Sequence, residues 1–278
     1  MKMKVLICHN KGMKRHAPVL FAFAAGLEAN GHQVKHVDGI DVSNINVDLV
    51  VMFGSGVKDG GKNAQAKYRI TAETIRKGIP IIQLEEGFIK RGEYWSVSVN
   101  GLPGRGDYTH TDIDINRIDC ITDWKEMRWK KDGYILLTGQ VPWDRNVCMS
   151  IGQYNNYLKN RMDYIRSLGY EVVYRPHPRM GDNKKSLEHD LVDAKMLCTY
   201  SSTSAIDAAL KGIPVCVDKP DCAPAGLSVD VDWNPPSMNK QYQVLNEIAN
   251  AQWTLGEMKI GKCWGHVKKL ETMKNYIS

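Results

Sequence analysis

Apolar runs and segments of helical period alternate along the chain in a regular succession. Residues 5–8 form an apolar run, and residues 17–30 carry Leu20, Phe23, Ala24 and Leu27 at helical spacing, with Gly31 as the stop. Residues 33–37 and 47–53 read as the next two strands, the second running into a glycine-rich stretch at 54–61. Helix-forming residues 64–77, closed by Gly78, lead to the run 79–84, which has the length of a buried strand. Strand, helix and strand in this order predict a parallel, doubly wound sheet. Between 88 and 129 the pattern loosens into a polar, aromatic, glycine-bearing stretch, longer than a plain connection in a compact domain. It restarts at 134–137 and continues with a helix over 153–168, strands at 171–174, 195–200 and 213–217, and a helix over 203–211. The restart predicts an α/β chain of two Rossmann-like domains, residues 1–130 and 131–278, with parallel sheets facing a central cleft.

A chain of 278 residues, 43% of them hydrophobic, can bury two such cores. The first apolar run is too short for a signal peptide or a membrane span, so a cytoplasmic protein is expected. Seven cysteines without a Cys-x-x-Cys pair predict reduced, packing thiols. The formal charge of +6 matters mainly through its distribution. Lys125, Arg128, Lys130 and Lys131 share a segment with Trp124 and Trp129, and Lys262, Lys268, Lys269 and Lys274 gather near the end, which suits a polyanionic partner.

Three polar clusters each follow an expected strand, where a parallel sheet presents its ligands. Glu85-Glu86-Gly87 offers two carboxylates that point to opposite faces of an extended chain, so one can act as a base toward a hydroxyl, the alternative being a solvated acidic turn. Arg175-Pro176-His177-Pro178 holds a permanent cation and an imidazole on a turn stiffened by proline, either as a phosphate contact or as an ordinary structural turn. Ser201, Ser202 and Thr203 precede a helix, as anion contacts or as ordinary caps. His9, Lys11, Gly12 and His16 follow the first strand and read as a connecting turn rather than a binding element.

In this order the clusters resemble the acidic-acidic-Gly, His-Pro and Ser-Ser/Thr motifs of bacterial sialyltransferases and related capsule sugar transferases. The run 84–91, Leu-Glu-Glu-Gly-Phe-Ile-Lys-Arg, is similar to the acidic segment of bacterial capsule Kdo transferases. The run 135–144, containing Gly139-Gln140-Val141, is similar to the segment that opens their C-terminal domain. The resemblance implies a GT-B glycosyltransferase that works without a bound metal or cofactor, with the acceptor on the N-terminal domain and a nucleotide-sugar donor on the C-terminal one. It implies Glu85 as catalytic carboxylate, with Glu86 and Asp107 as the alternatives because glutamate stands where those families carry aspartate. Gln140, Arg175, His177, Ser201, Ser202 and Thr203 would face the nucleotide-sugar.

The acceptor is a separate question. Small size and the basic, aromatic segment resemble phage-type DNA glycosyltransferases, which implies 5-hydroxymethylpyrimidine in DNA as acceptor, met by Lys90, Arg91, Trp95, Arg105 and Tyr108 on one loop. The alternative is a capsule or lipopolysaccharide glycan. A third reading is a nucleotide-sugar epimerase-like protein or an inactive module of the same fold.

Overall fold

The structure, a computed structural model, describes residues 2–9, 14–38, 46–58, 61–181 and 185–277. Lys11, Gly12 and part of the glycine-rich stretch, Asp59 and Gly60, lie outside the described residues. The chain forms two compact units, one of Met1–Arg117 with Glu247–Ser278 and one of Ile118–Asn246.

The first unit opens with β1 (Lys4–His9), α1 (Ala17–Ala29), β2 (Gln33–Asp38), β3 (Leu49–Phe53), α2 (Lys62–Arg76), β4 (Ile81–Glu86) and β5 (Tyr94–Val99). All five residues of β3 are buried because the sheet is covered on both faces, which is why the strand reads as a continuous apolar run. α1 packs in the cluster holding Val5, Ile7 and Val51, whereas Ile70 of α2 packs with Leu6, Cys8, Val50 and Met52. The alternation of side chains along β1 and β3 therefore puts the two helices on opposite faces.

β5 lies inside the stretch expected to lack regular structure. It runs antiparallel to β4, with Glu85 opposite Ser96 and Ile82 opposite Val99. Val97 and Val99 enter the core while Ser96 and Ser98 are also fully buried, so no apolar-in, polar-out contrast marks the strand.

The second unit contains most of α3 (Arg117–Ile121), then β6 (Tyr134–Thr138), α4 (Ile151–Ser167), β7 (Val172–Arg175), α5 (Leu187–Val192), β8 (Ala194–Thr199), α6 (Ser204–Leu210), β9 (Val215–Val217) and most of α7 (Met238–Asn250). Its sheet is parallel throughout, in the order β7-β6-β8-β9. A reciprocal cap starts α4: the Ser150 hydroxyl accepts from the Gln153 N–H at 3.2 Å, and the Gln153 side chain accepts from the Ser150 N–H at 2.9 Å. Buried Gln241 of α7 holds the incoming segment, accepting from Met127 N–H and donating to Lys125 O, both at 2.8 Å.

The chain then re-enters the first unit through β10 (Gln252–Thr254), α8 (Leu255–Lys259), α9 (Lys262–Val267) and α10 (Glu271–Ile277). β10 completes a six-stranded sheet in the order β10-β5-β4-β3-β1-β2. The units are thus bounded differently from the expected 1–130 and 131–278. The cause is long-range packing: Met258, Cys263, Trp264 and Val267 share the core of α1, and Arg117 pairs with Glu257 at 3.0 Å. Gly26 of α1 admits this, because a Cβ there would stand 2.0 Å from Met258 O. Among the described residues no helix is long and apolar enough to cross a membrane.

Candidate functional site

In the second unit the strand order reverses at β6, and at such a point open α/β sheets take their ligands beyond the carboxyl ends of the strands, here β6, β7 and β8. Gln140, His177, Ser201 and Ser202 all follow those ends. Gly139 lets the edge close: a Cβ there would stand 2.5 Å from the Tyr174 hydroxyl, and its N–H donates to Arg175 O at 2.8 Å. The Gln140 side chain donates to the Ser201 hydroxyl at 3.0 Å and accepts the Ser201 backbone N–H at 2.8 Å, while its own N–H donates to the Tyr154 hydroxyl at 2.6 Å. Ser202 accepts from Ser204 N–H at 3.2 Å, and Ser204 meets the Thr138 hydroxyl at 3.0 Å. Thr203 stands directly before α6.

His177 Nδ1 accepts the Arg179 backbone N–H at 3.1 Å, which puts the ring proton of the neutral imidazole on Nε2. Burial, helped by the Arg179 charge and opposed by Asp144, holds its pKa below the usual histidine value. His177 is therefore a neutral hydrogen-bond donor at neutral pH. Arg175 is turned elsewhere, onto Asp190 of α5 at 2.5 Å and Lys185 O at 3.0 Å. Its first role is to hold α5 against the sheet.

The acidic edge of the first unit is built on β4. Gly87 is required by the tight hairpin that follows, since a Cβ there would stand 2.5 Å from Tyr94 O. Buried Gln252 braces the same turn, accepting from Phe88 and Ile89 N–H at 3.0 and 3.1 Å and donating to Ile89 O at 3.2 Å. The two carboxylates diverge as an extended strand demands. Glu86 pairs with Arg15 at 3.6 Å, just before α1. One oxygen of Glu85 accepts the Glu86 N–H at 3.0 Å, and the other borders Gly54, as does the Lys67 ammonium of α2. His16 stacks on Phe53 with ring centres 3.8 Å apart, and burial lowers its pKa to about 4.

The remaining expected residues divide between the two ends of the sheet: His9 at the end of β1, Lys90 and Arg91 on the turn after Gly87, and Trp95 opposite Glu86 stay at this edge, whereas Arg105 and Asp107 do not. Asp107 pairs in the backbone with Val99, three registers along the sheet from Glu85 or roughly 10 Å of strand rise, and its carboxylate accepts the Thr272 N–H at 2.8 Å, near the start of α10. Lys90 and Arg91 lie on the turn after Gly87, while Arg105 lies on the loop beyond β5, so the single basic loop read at 88–108 is divided by a strand. Trp95 is on that strand, opposite Trp253 and packed on the core. Tyr108 O accepts from His266. His9 bonds His36 of β2 at 2.7 Å.

The basic, aromatic segment is largely occupied within its own unit. Trp124 donates to Asp119 at 2.8 Å, Trp129 to Trp233 O at 3.0 Å, and Lys130 to Val192 O at 2.6 Å, while Arg128 pairs with Glu126. Lys67 is the residue that motif reading missed. Its only signal is position, three and seven residues before the buried Ile70 and Thr74 on one helix face. Among the described residues no group of three His, Cys, Asp or Glu side chains is arranged to hold a metal ion.

No protein-family model matches the chain, and no curated protein sequence matches it. Among solved structures it is similar to KpsC, a β-Kdo 2,7-transferase of Thermosulfurimonas dismutans, at 15% identity and a TM-score of 0.54, over 93% of this chain and 98% of that one. Two others align with TM-scores too low to carry argument: a substrate-binding protein of Clostridium difficile (13% identity, 0.31, over 89% and 83%) and a kitacinnamycin glycotransferase (11%, 0.28, over 100% and 98%). The first likeness establishes the fold, a GT-B-class α/β protein of two Rossmann-like units.

Proposed function

We propose that this protein is a glycosyltransferase that moves a sugar from a nucleotide-sugar donor to a hydroxyl of a capsule- or lipopolysaccharide-type glycan. The observation that carries this reading is the placement of both motif sets at strand carboxyl ends, the acidic pair on β4 and the Gln140, His177 and Ser201 set where the strand order of the second sheet reverses. The likeness in fold to a Kdo transferase supports the same class. Fold alone does not decide function, so the weight rests on the residues.

In this reading the second unit holds the donor. His177 Nε2–H donates to a phosphate oxygen, and Ser202 and Thr203 contribute further contacts, with Gln140 and Ser201 keeping the edge in shape. The first unit supplies the base. Glu85 takes the proton of the acceptor hydroxyl, the freed oxygen bonds to the anomeric carbon, and the bond from that carbon to the phosphate oxygen breaks. The nucleotide leaves with the electron pair, and the charge growing on it is met by the His177 donor. Glu86 points away from Glu85 and pairs with Arg15, so it is the alternative base rather than a partner in this step.

A DNA acceptor, favoured by the sequence, has less support: Trp124 and Trp129 bond within their own unit and the presumed DNA-facing loop is divided by β5, while the likeness in fold is to a Kdo transferase. The test is incubation with CMP-, UDP- and GDP-linked sugars and three acceptor types: acidic glycans, lipopolysaccharide cores and hydroxymethylated DNA, read by mass spectrometry. A mass increase of one sugar on a glycan supports the proposal. Transfer only to DNA overturns the acceptor, and epimerised donor without transfer overturns the class.

A further inference from the structure

Lys67 stands outside every motif recognised in the sequence, yet it reaches the acidic edge. Gly56 brings its helix close: a Cβ at Gly56 would stand 2.1 Å from Tyr68 N and 2.2 Å from Ala64 O, so α2 packs directly on the loop after β3. Gly54 then leaves the space the two side chains share. Its φ is +73°, and a Cβ there would stand 2.9 Å from Lys67 Nζ and 3.3 Å from Glu85 Oε2, so the ammonium and the carboxylate both border the space that the missing side chain leaves. Thr71 ties the same turn of helix, donating to Lys67 O at 3.0 Å.

Other charged and titratable groups stand near this carboxylate. Arg15 pairs with Glu86 at 3.6 Å, and its Nε–H donates to His16 Nε2 at 3.1 Å. His16 is uncharged near neutral pH, its pKa depressed to about 4 by burial and then by Lys67 and Arg15. Burial also disfavours the Lys67 ammonium, and the attraction of Glu85 opposes that effect. Lys67 is thus a cation that stands beside Glu85 and is attracted by it.

We infer that Lys67 is a positioning residue for the transfer reaction, holding the Glu85 carboxylate in place so that it can receive the acceptor proton. The inference rests on the reading of Glu85 as the base. A neighbouring cation favours the ionised carboxylate, so its removal should delay ionisation to higher pH as well as loosen orientation.

The experiment is a pH profile of glycosyl transfer for the wild type, Lys67→Met, Lys67→Arg and Glu85→Gln, with folding checked by circular dichroism. Lys67→Met should lower kcat, leave the donor KM within about twofold, and move the acid limb up by about one pH unit or more. Lys67→Arg should restore the limb, which a merely structural loss would not require, and it keeps the test open if Lys67→Met fails to fold. An acid limb unmoved in Lys67→Met, with Glu85→Gln inactive, overturns the role of Lys67 and spares the base. Normal turnover by Glu85→Gln overturns the base itself, and the role of Lys67 with it.

Discussion

Gln140 and Ser201 hold each other by hydrogen bonds that include amide to hydroxyl at 3.0 Å and backbone N–H to amide oxygen at 2.8 Å. They join the segment after β6 to the segment after β8, and Ser201 is only 4% exposed. Gln140→Ala strands a buried N–H and is expected to cost about 1–3 kcal/mol. A urea titration of the variant should show a lower unfolding midpoint; an unchanged midpoint would mean that water replaces the amide without loss.

Asp107 accepts the Thr272 N–H at 2.8 Å, far along the sheet from Glu85. Asp107→Ala should therefore behave as the loss of a helix-end contact, lowering stability by about 0.5–2 kcal/mol while kcat stays within a few-fold of wild type. A folded Asp107→Ala protein without turnover would restore it as a catalytic carboxylate.

His266 is 6% exposed, and burial depresses its pKa from 6.5 to about 4 although its bond to Tyr108 O opposes the shift. The unfolded chain binds the proton first as pH falls. Stability from this group is full above about 6.5 and is lost as pH drops toward 4, by roughly 3 kcal/mol at most. Unfolding midpoints between pH 7 and pH 4 should fall in the wild type and fall less steeply in His266→Gln, whose amide can still donate to Tyr108 O. Parallel slopes would locate the acid sensitivity elsewhere, for instance at His16.

Gly26 is the point where α8 meets α1. Gly26→Ala puts a methyl group 2.0 Å from Met258 O, so the final helices must shift, at a cost of about 1–3 kcal/mol. Hydrogen exchange should show faster exchange across residues 255–277 than in the wild type, and unchanged exchange would mean that the backbone yields without loss.

Periodicity made the parallel core legible because each strand there is a buried apolar run: residues 47–53, 134–137 and 195–200 lie on β3, β6 and β8 with small differences at the ends. What escaped depends on distance in the chain or on unusual burial. β5 was hidden by Ser96 and Ser98, polar yet fully buried. The return of the final 32 residues to the first unit rests on a missing side chain at Gly26 and on the Arg117–Glu257 pair, 140 positions apart, which no local window contains. The motif residues Glu85, Gln140, His177 and Ser201 were legible because each follows a strand; Lys67 was not, because a lysine on a helix ordinarily faces water.

The transfer step itself is tested most directly by Glu85→Gln, assayed for donor binding by calorimetry and for sugar transfer by mass spectrometry on the same preparation. If Glu85 removes the acceptor proton, donor affinity stays within about twofold and kcat falls by about 100-fold or more. Unchanged turnover with intact donor binding would contradict the assignment.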